Sequence, residues 1–224
     1  MKPLFIYCYD AYCGWCFAFS NVMKKIVHEY AHVMDFDVYS GGMILPETPV
    51  HISVSAPLIQ KFYKQVEAIT DARFGNDYLW HINHPEESDW YPNSEKPAIA
   101  LCIFREYYPD LQVQLAQKLQ QALFVEGRDL TDNEAYRHLL DQYQIPAEEF
   151  FTKLNDSAYK EKAYYDFAAV KQLQVSGYPT AFIQTGDLKF EMVARGYTDH
   201  QSLKARIDGV LKNLNLNSSD TKDQ

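Results

Sequence analysis

Cys13 and Cys16 are separated only by Gly14 and Trp15. A thiol pair at this spacing can exchange disulfides or supply half of a zinc site. In exchange the thiolate is the nucleophile, so its pKa must fall from ~8.5 toward neutrality or below. A helix N-terminus does this, because unpaired N–H groups and the positive dipole end stabilise an anion. At i, i+3 on a helix the second sulfur lies one turn on and on the same face, within reach of the first. Cys13 would then be the outer, attacking thiol, and Cys16 the inner thiol that resolves a mixed disulfide. Gly14 and Trp15 carry no charge, so the helix terminus is expected to supply most of the stabilisation. Zinc would need two more ligands. No second pair follows at a typical spacing, and His81 and His84, the local candidates, sit in a Pro-flanked stretch.

The elements around the pair suit exchange. Residues 3–9 are apolar, bounded by Pro3 and Asp10, and read as a buried strand. From Cys13 to about Tyr30 the spacing of Phe17, Val22, Ile26 and Val27 is helical. Residues 35–40 alternate and end at Gly41-Gly42, a second strand. Helices are expected at roughly 56–73, 96–108, 110–125, 132–143, 146–153 and 157–173, with a long loop at 75–95. Asp132 and Asn133 are candidate caps, and Pro146 suits a first helical turn. Strands return at 180–185 and 188–193, with Gly186-Asp187 as a hairpin turn, and a last helix is expected at 199–213 with Asp199 as its cap. The order β-α-β, helices, β-β-α predicts one four-stranded sheet in an α/β fold.

Composition narrows the function. The hydrophobic fraction is 47%, enough for a core without disulfide staples. The net charge of -9 disfavours nucleic acid and anionic membranes as partners. The apolar run after Lys2 is too short for a secretion signal and ends at Asp10, and no stretch approaches the ~20 apolar residues of a membrane span. A cytoplasmic location is therefore expected, where four cysteines do not suggest a disulfide framework.

The residues resemble a known family, the DsbA-like thiol–disulfide oxidoreductases, in the cytoplasmic FrnE-like group. The resemblance rests on Asp10-x-x-Cys13-x-Trp15-Cys16 after the first strand, followed by Phe17. A distant second motif, Val175-Ser176-Gly177-Tyr178-Pro179-Thr180-Ala181-Phe182, looks like the family's Val-x-Gly-x-Pro-Thr loop before a strand. The resemblance implies a thioredoxin-like fold with a large all-α insertion: residues 1–42 and 174–214 as a discontinuous thioredoxin-like domain, 43–173 as the helical insertion, and 215–224 as a flexible tail. It implies a cis Pro179 opposite the cysteines, with Tyr178 offering backbone groups to an extended substrate. Gly14 stands where the FrnE-like pattern often has Pro, which leaves the direction of electron flow open.

The remaining candidates divide between bland and sharp readings. Cys8, in the first strand, and Cys102, in an apolar helix stretch, read as core packing, with a redox role as the alternative for each. Asp10 is either a strand-end turn residue or a carboxylate that helps deprotonate Cys16. Trp15 is expected to be exposed beside the sulfurs as a substrate contact. Trp80, Trp90, Tyr91 and the two histidines either line a groove or simply pack. The leading function is a thiol–disulfide oxidoreductase or isomerase acting on protein or small-molecule disulfides. It would need no metal or organic cofactor, and glutathione or a reductase would reset it. A non-catalytic adaptor of the same fold is one alternative. A glutathione-dependent isomerase resembling the kappa class is another, and Cys16 argues against it.

Overall fold

A computed structural model of the chain describes residues 2–220. Four strands form one sheet in the order β2-β1-β3-β4. β1 (Leu4–Tyr9) is central, and runs parallel to β2 (Asp35–Ser40) and antiparallel to β3 (Thr180–Gly186). β4 (Lys189–Arg195) completes the other edge against β3. A strand buried on both faces must be apolar on both. Accordingly Phe5, Tyr7 and Tyr9 enter the main core, while Ile6 and Cys8 join a second cluster with Val170 and Phe182.

α1 (Gly14–Tyr30) carries Cys16, Phe19, Met23 and Ile26 into the main core at a helical period. Its partners there include Leu203 and Ile207 of the last helix, α9 (His200–Asp220). Between β2 and β3 the chain forms α2 (Ala56–Ile69), α3 (Asn76–Asn83), α4 (Glu95–Tyr107), α5 (Gln112–Phe124), α6 (Arg137–Gln142), α7 (Ala147–Leu154) and α8 (Ser157–Gln172). Val170 of α8 covers the second face of the sheet. The outer edge of β2 is closed by side chains. Gln112 Oε1 accepts from the Val38 N–H at 3.1 Å, and Arg105 donates to the Val38 carbonyl at 2.8 Å. Both backbone groups are thereby denied to a foreign strand.

Several expectations need adjustment. The stretch 75–95 is not all loop, since α3 and a 3₁₀ turn at Pro85–Glu87 lie within it. Tyr78 and Ile82, four residues apart, are the only buried side chains of α3, too short a pattern to stand out among Asn, His and Pro. The hairpin turn falls on Asp187-Leu188 rather than Gly186-Asp187, because Gly186 already pairs with Lys189. The left-handed position is thus taken by exposed Leu188, at φ 55°. The 132–143 helix begins as a 3₁₀ turn, Asn133–Tyr136, capped by Asp132. Asp199 does cap α9, accepting from the Ser202 N–H at 3.0 Å. α9 itself continues to Asp220, past the expected end at 213, and the last part of the expected tail, 221–224, lies outside the described residues.

Candidate active site

The sheet register assembles the site. Cys8 pairs with Thr180, which sets the Tyr178-Pro179 loop beside the end of β1. Tyr9 pairs with Ser40, and the Gly41 N–H donates to the Tyr9 carbonyl at 2.7 Å, which brings the end of β2 to the same place. The chain then turns through Asp10–Tyr12 into α1. Tyr12 N–H donates to Asp10 Oδ1 at 3.0 Å, and Cys13 N–H to the Asp10 carbonyl at 3.1 Å.

Cys13 is the N-cap of α1. Its Sγ accepts from the Cys16 main-chain N–H at 3.1 Å, the position that Ser, Thr or Asp oxygens usually fill. Cys13 and Cys16 are both free thiols. Cys13 is 5% exposed and Cys16 not at all. Burial pushes the Cys16 thiol well above its ordinary range, and the neighbouring Cys13 adds to the shift. The two sulfurs are thereby unlike, one capping a helix and one held as a neutral thiol in the core.

Asp10 is almost wholly buried, and burial raises its pKa against the pull of its hydrogen bonds. Oδ2 accepts from the Met43 N–H at 2.8 Å, and Oδ1 accepts from Ser94 Oγ at 2.9 Å as well as from Tyr12. Asp10 therefore ties together three segments. Ser94 precedes α4 in the place of a cap, but its hydroxyl makes no capping bond and is spent on Asp10 instead. Gln120, also buried, reaches from α5 to donate to the carbonyls of Asp10 and Cys13, at 3.1 and 3.3 Å. Sequence reading missed both residues. The one available signal was a glutamine set among Ala116, Leu119 and Leu123 on the buried face of α5.

The Tyr178–Pro179 peptide bond is cis. Tyr178 is half-buried, donates its hydroxyl to the Gly41 carbonyl at 2.9 Å, and has its pKa pushed up to about 12, chiefly by burial. A Cβ on Gly41 would lie 2.1 Å from the Tyr178 ring, so any larger residue there must displace that ring. Trp15 packs against Tyr197 with ring centroids 6.4 Å apart. Gly14 faces Phe74, whose ring an added Cβ would meet at 3.4 Å.

Beside Cys13 a cavity of about 340 Å³ opens between the start of α1 and helices α2, α3 and α5. Trp15, Ile59, Phe62, Phe74, Tyr78 and Trp90 are among the residues lining it. Gly75 follows Phe74 of the cavity's lining: a Cβ there would sit 1.8 Å from the Val125 carbonyl, so the bare backbone lets the chain pass close to the end of α5. Of the aromatic and histidine candidates in 75–95, only Trp90 reaches this cavity. His81 stacks on Trp90 at 3.8 Å, His84 on Trp80, and Tyr91 packs against His51. Among the described residues no three His, Cys, Asp or Glu side chains could share a metal ion. Cys8 and Cys102 lie buried away from the pair, their thiols pushed up to about 12 and about 11 by burial.

Residues 6–208 match the family of the DSBA-like thioredoxin domain. The chain belongs to that family. A DSBA-like domain acts on disulfides, and the chain is a thiol–disulfide oxidoreductase of this kind. Among solved structures it is similar to a Nitrosomonas europaea protein provisionally named a protein disulfide isomerase, with TM-score 0.83 and 20% identity over 95% of this chain and 99% of that one. It is also similar to the cytosolic disulfide reductase DsbM of Pseudomonas aeruginosa, with TM-score 0.71 and 19% identity over 93% and 98%. A 2-hydroxychromene-2-carboxylate isomerase shares the fold at TM-score 0.62 and 11% identity, over 97% and 98%. No curated protein matches the chain. Among the described residues no helix is long and apolar enough to cross a membrane.

Proposed function

We propose that Cys13 is the nucleophile and Cys16 the resolving thiol of a dithiol–disulfide exchange. The observation that carries the reading is the Cys16 N–H donating to Cys13 Sγ at the helix start. Thiolate is the attacking form in disulfide exchange, and a sulfur at this place faces a backbone N–H donor and the positive end of the helix dipole. The Cys13 thiolate attacks one sulfur of a substrate disulfide, forms a mixed disulfide and expels the other sulfur as a thiolate. Cys16 then loses its proton and attacks Cys13 Sγ. This releases the second thiolate and leaves a Cys13–Cys16 disulfide, so the substrate gains two electrons and the protein loses two. Two equivalents of an external thiol return the pair to its reduced form.

Asp10, Gly14, Trp15, Tyr178 and Pro179 frame this reaction. Asp10 acts as a positioning residue, since both its oxygens are already taken as acceptors by Met43, Tyr12 and Ser94. Trp15 and the Tyr178-Pro179 loop border the approach to the sulfurs. We assign the protein to the cytoplasm, where net oxidation is the least favoured direction and reduction or isomerisation the natural one. A low-molecular-weight thiol such as glutathione is the proposed reductant. The cytosolic place of the Pseudomonas reductase, and its structure with GSH, support both assignments.

Equilibration in glutathione redox buffers, followed by alkylation and mass measurement, tests the proposal. The pair should cycle reversibly, and Cys16→Ser should accumulate a mixed disulfide at Cys13. A pair that stays reduced in every buffer would remove the catalytic reading.

A further inference from the structure

The cavity beside Cys13 bears on what the substrate is, an inference that rests on the dithiol reading above. Cys13 is only 5% exposed, and it lines the wall of this cavity. The cavity's volume of about 340 Å³ lies within the range of small-molecule sites. None of the described residues lining it is charged. Its outer wall is α2, which buries only Ala56 and Val66 and leaves Leu58 56% and Phe62 44% exposed at the rim. Apolar surface of this kind at the mouth of a pocket is costly unless something covers it. A charged group would have to shed its water to enter, with no partner inside to compensate.

We propose that the disulfide reduced here is a small molecule, R–S–S–R′, in which R is a neutral apolar group the size of a phenyl-bearing chain. R seats in the cavity and R′ faces solvent. The Cys13 thiolate bonds to the sulfur bearing R and expels R′S⁻. Cys16 then closes the Cys13–Cys16 disulfide and expels RS⁻, which leaves the cavity as a thiol. A folded protein is the poorer substrate, because its disulfide would have to reach a sulfur only 5% exposed in the wall of this cavity.

The test uses the pre-reduced protein in single turnover with mixed disulfides of 2-mercaptoethanol carrying methyl, n-butyl or phenethyl groups. Oxidation of the Cys13–Cys16 pair is read by alkylation and mass, and each rate is divided by that of the same disulfide with free dithiothreitol. The corrected rate constant should rise at least ~10-fold from methyl to phenethyl, since each buried methylene adds to transition-state binding. Ile59→Trp, which fills the cavity, should bring the phenethyl-to-methyl ratio toward one. Phe62→Ser, at the exposed rim, should lower the ratio severalfold while leaving the buried side chains in place. A flat series with a pair that still oxidises overturns the substrate class and leaves the dithiol mechanism standing. A scrambled protein disulfide that oxidises the pair faster than the phenethyl compound does the same. A pair that no disulfide oxidises overturns the mechanism and the substrate class together.

Discussion

The main-chain N–H of Cys16 donates to Cys13 Sγ at 3.1 Å, while the Cys16 thiol itself lies wholly buried one turn into the helix. The same residue thus offers its backbone N–H to one sulfur of the pair and keeps the other sulfur, its own, in the core.

This asymmetry should be visible in alkylation. Burial raises the thiols of Cys16, Cys8 and Cys102, the last two to about 12 and about 11, so few are thiolates near neutrality. Timed treatment of the reduced protein with iodoacetamide at pH 7, followed by peptide mass mapping, should label Cys13 at least ~10-fold faster than any other cysteine.

Gly41 and Tyr178 should be energetically coupled. A Cβ on Gly41 would strike the Tyr178 ring at 2.1 Å, so Gly41→Ala forces the ring away and breaks its hydrogen bond to the Gly41 carbonyl. Overpacking of this sort costs about 1–3 kcal/mol. Tyr178→Ala removes the obstacle, so adding Gly41→Ala to it should cost much less than in the wild type. Urea unfolding of the four proteins closes the cycle, and a coupling of at least ~0.5 kcal/mol is expected.

Gln120→Leu should be milder than its burial suggests. The two carbonyls it serves keep other donors, Cys13 N–H for Asp10 and Phe17 N–H for Cys13, so neither is orphaned. The loss should be about 0.5–1.5 kcal/mol rather than the larger penalty of an unsatisfied buried group. Thermal unfolding measures it. A much larger loss would mean that Gln120 also holds the turn from Asp10 into α1.

The parts of the site legible in the sequence were those carried by local spacing. Cys13 and Cys16 lie three residues apart at a strand-to-helix junction, so each could be placed from a few neighbours, whereas Pro179 came from the family resemblance of the Val175–Phe182 motif. Ser94, Gln120 and Phe74 could not be placed so, because they come from separate stretches between β2 and β3 and join the site only through long-range contacts. Ser94 stands at a cap position, but its hydroxyl goes to Asp10, 84 residues away in the chain. The cavity was equally hidden. Next to Phe74 of its lining, Gly75 lets the backbone pass close to Val125, a contact between residues fifty apart that no periodicity encodes.

The buried pair of Arg105 and Asp166, 3.0 Å apart, should make stability depend on pH in an unusual sense. Asp166 also accepts from the Ser40 N–H at 3.3 Å and sits near Asp37 and Cys8. Burial outweighs the attraction of Arg105 and lifts Asp166 from its ordinary 3.8 to about 6. A carboxyl raised in this way binds more protons folded than unfolded, so its contribution to stability falls as pH rises from 3.8 through about 6. Asp166→Asn cannot titrate, and it leaves the surface carboxylates, including Glu106 at about 2, the same in both proteins. The stability of the wild type relative to Asp166→Asn should therefore decline from pH 4 to pH 7, by on the order of 2 kcal/mol. Urea unfolding at a series of pH values gives the difference directly. A difference that grows over this range would mean that Arg105 holds Asp166 ionised in the folded protein, with its pKa below the ordinary value.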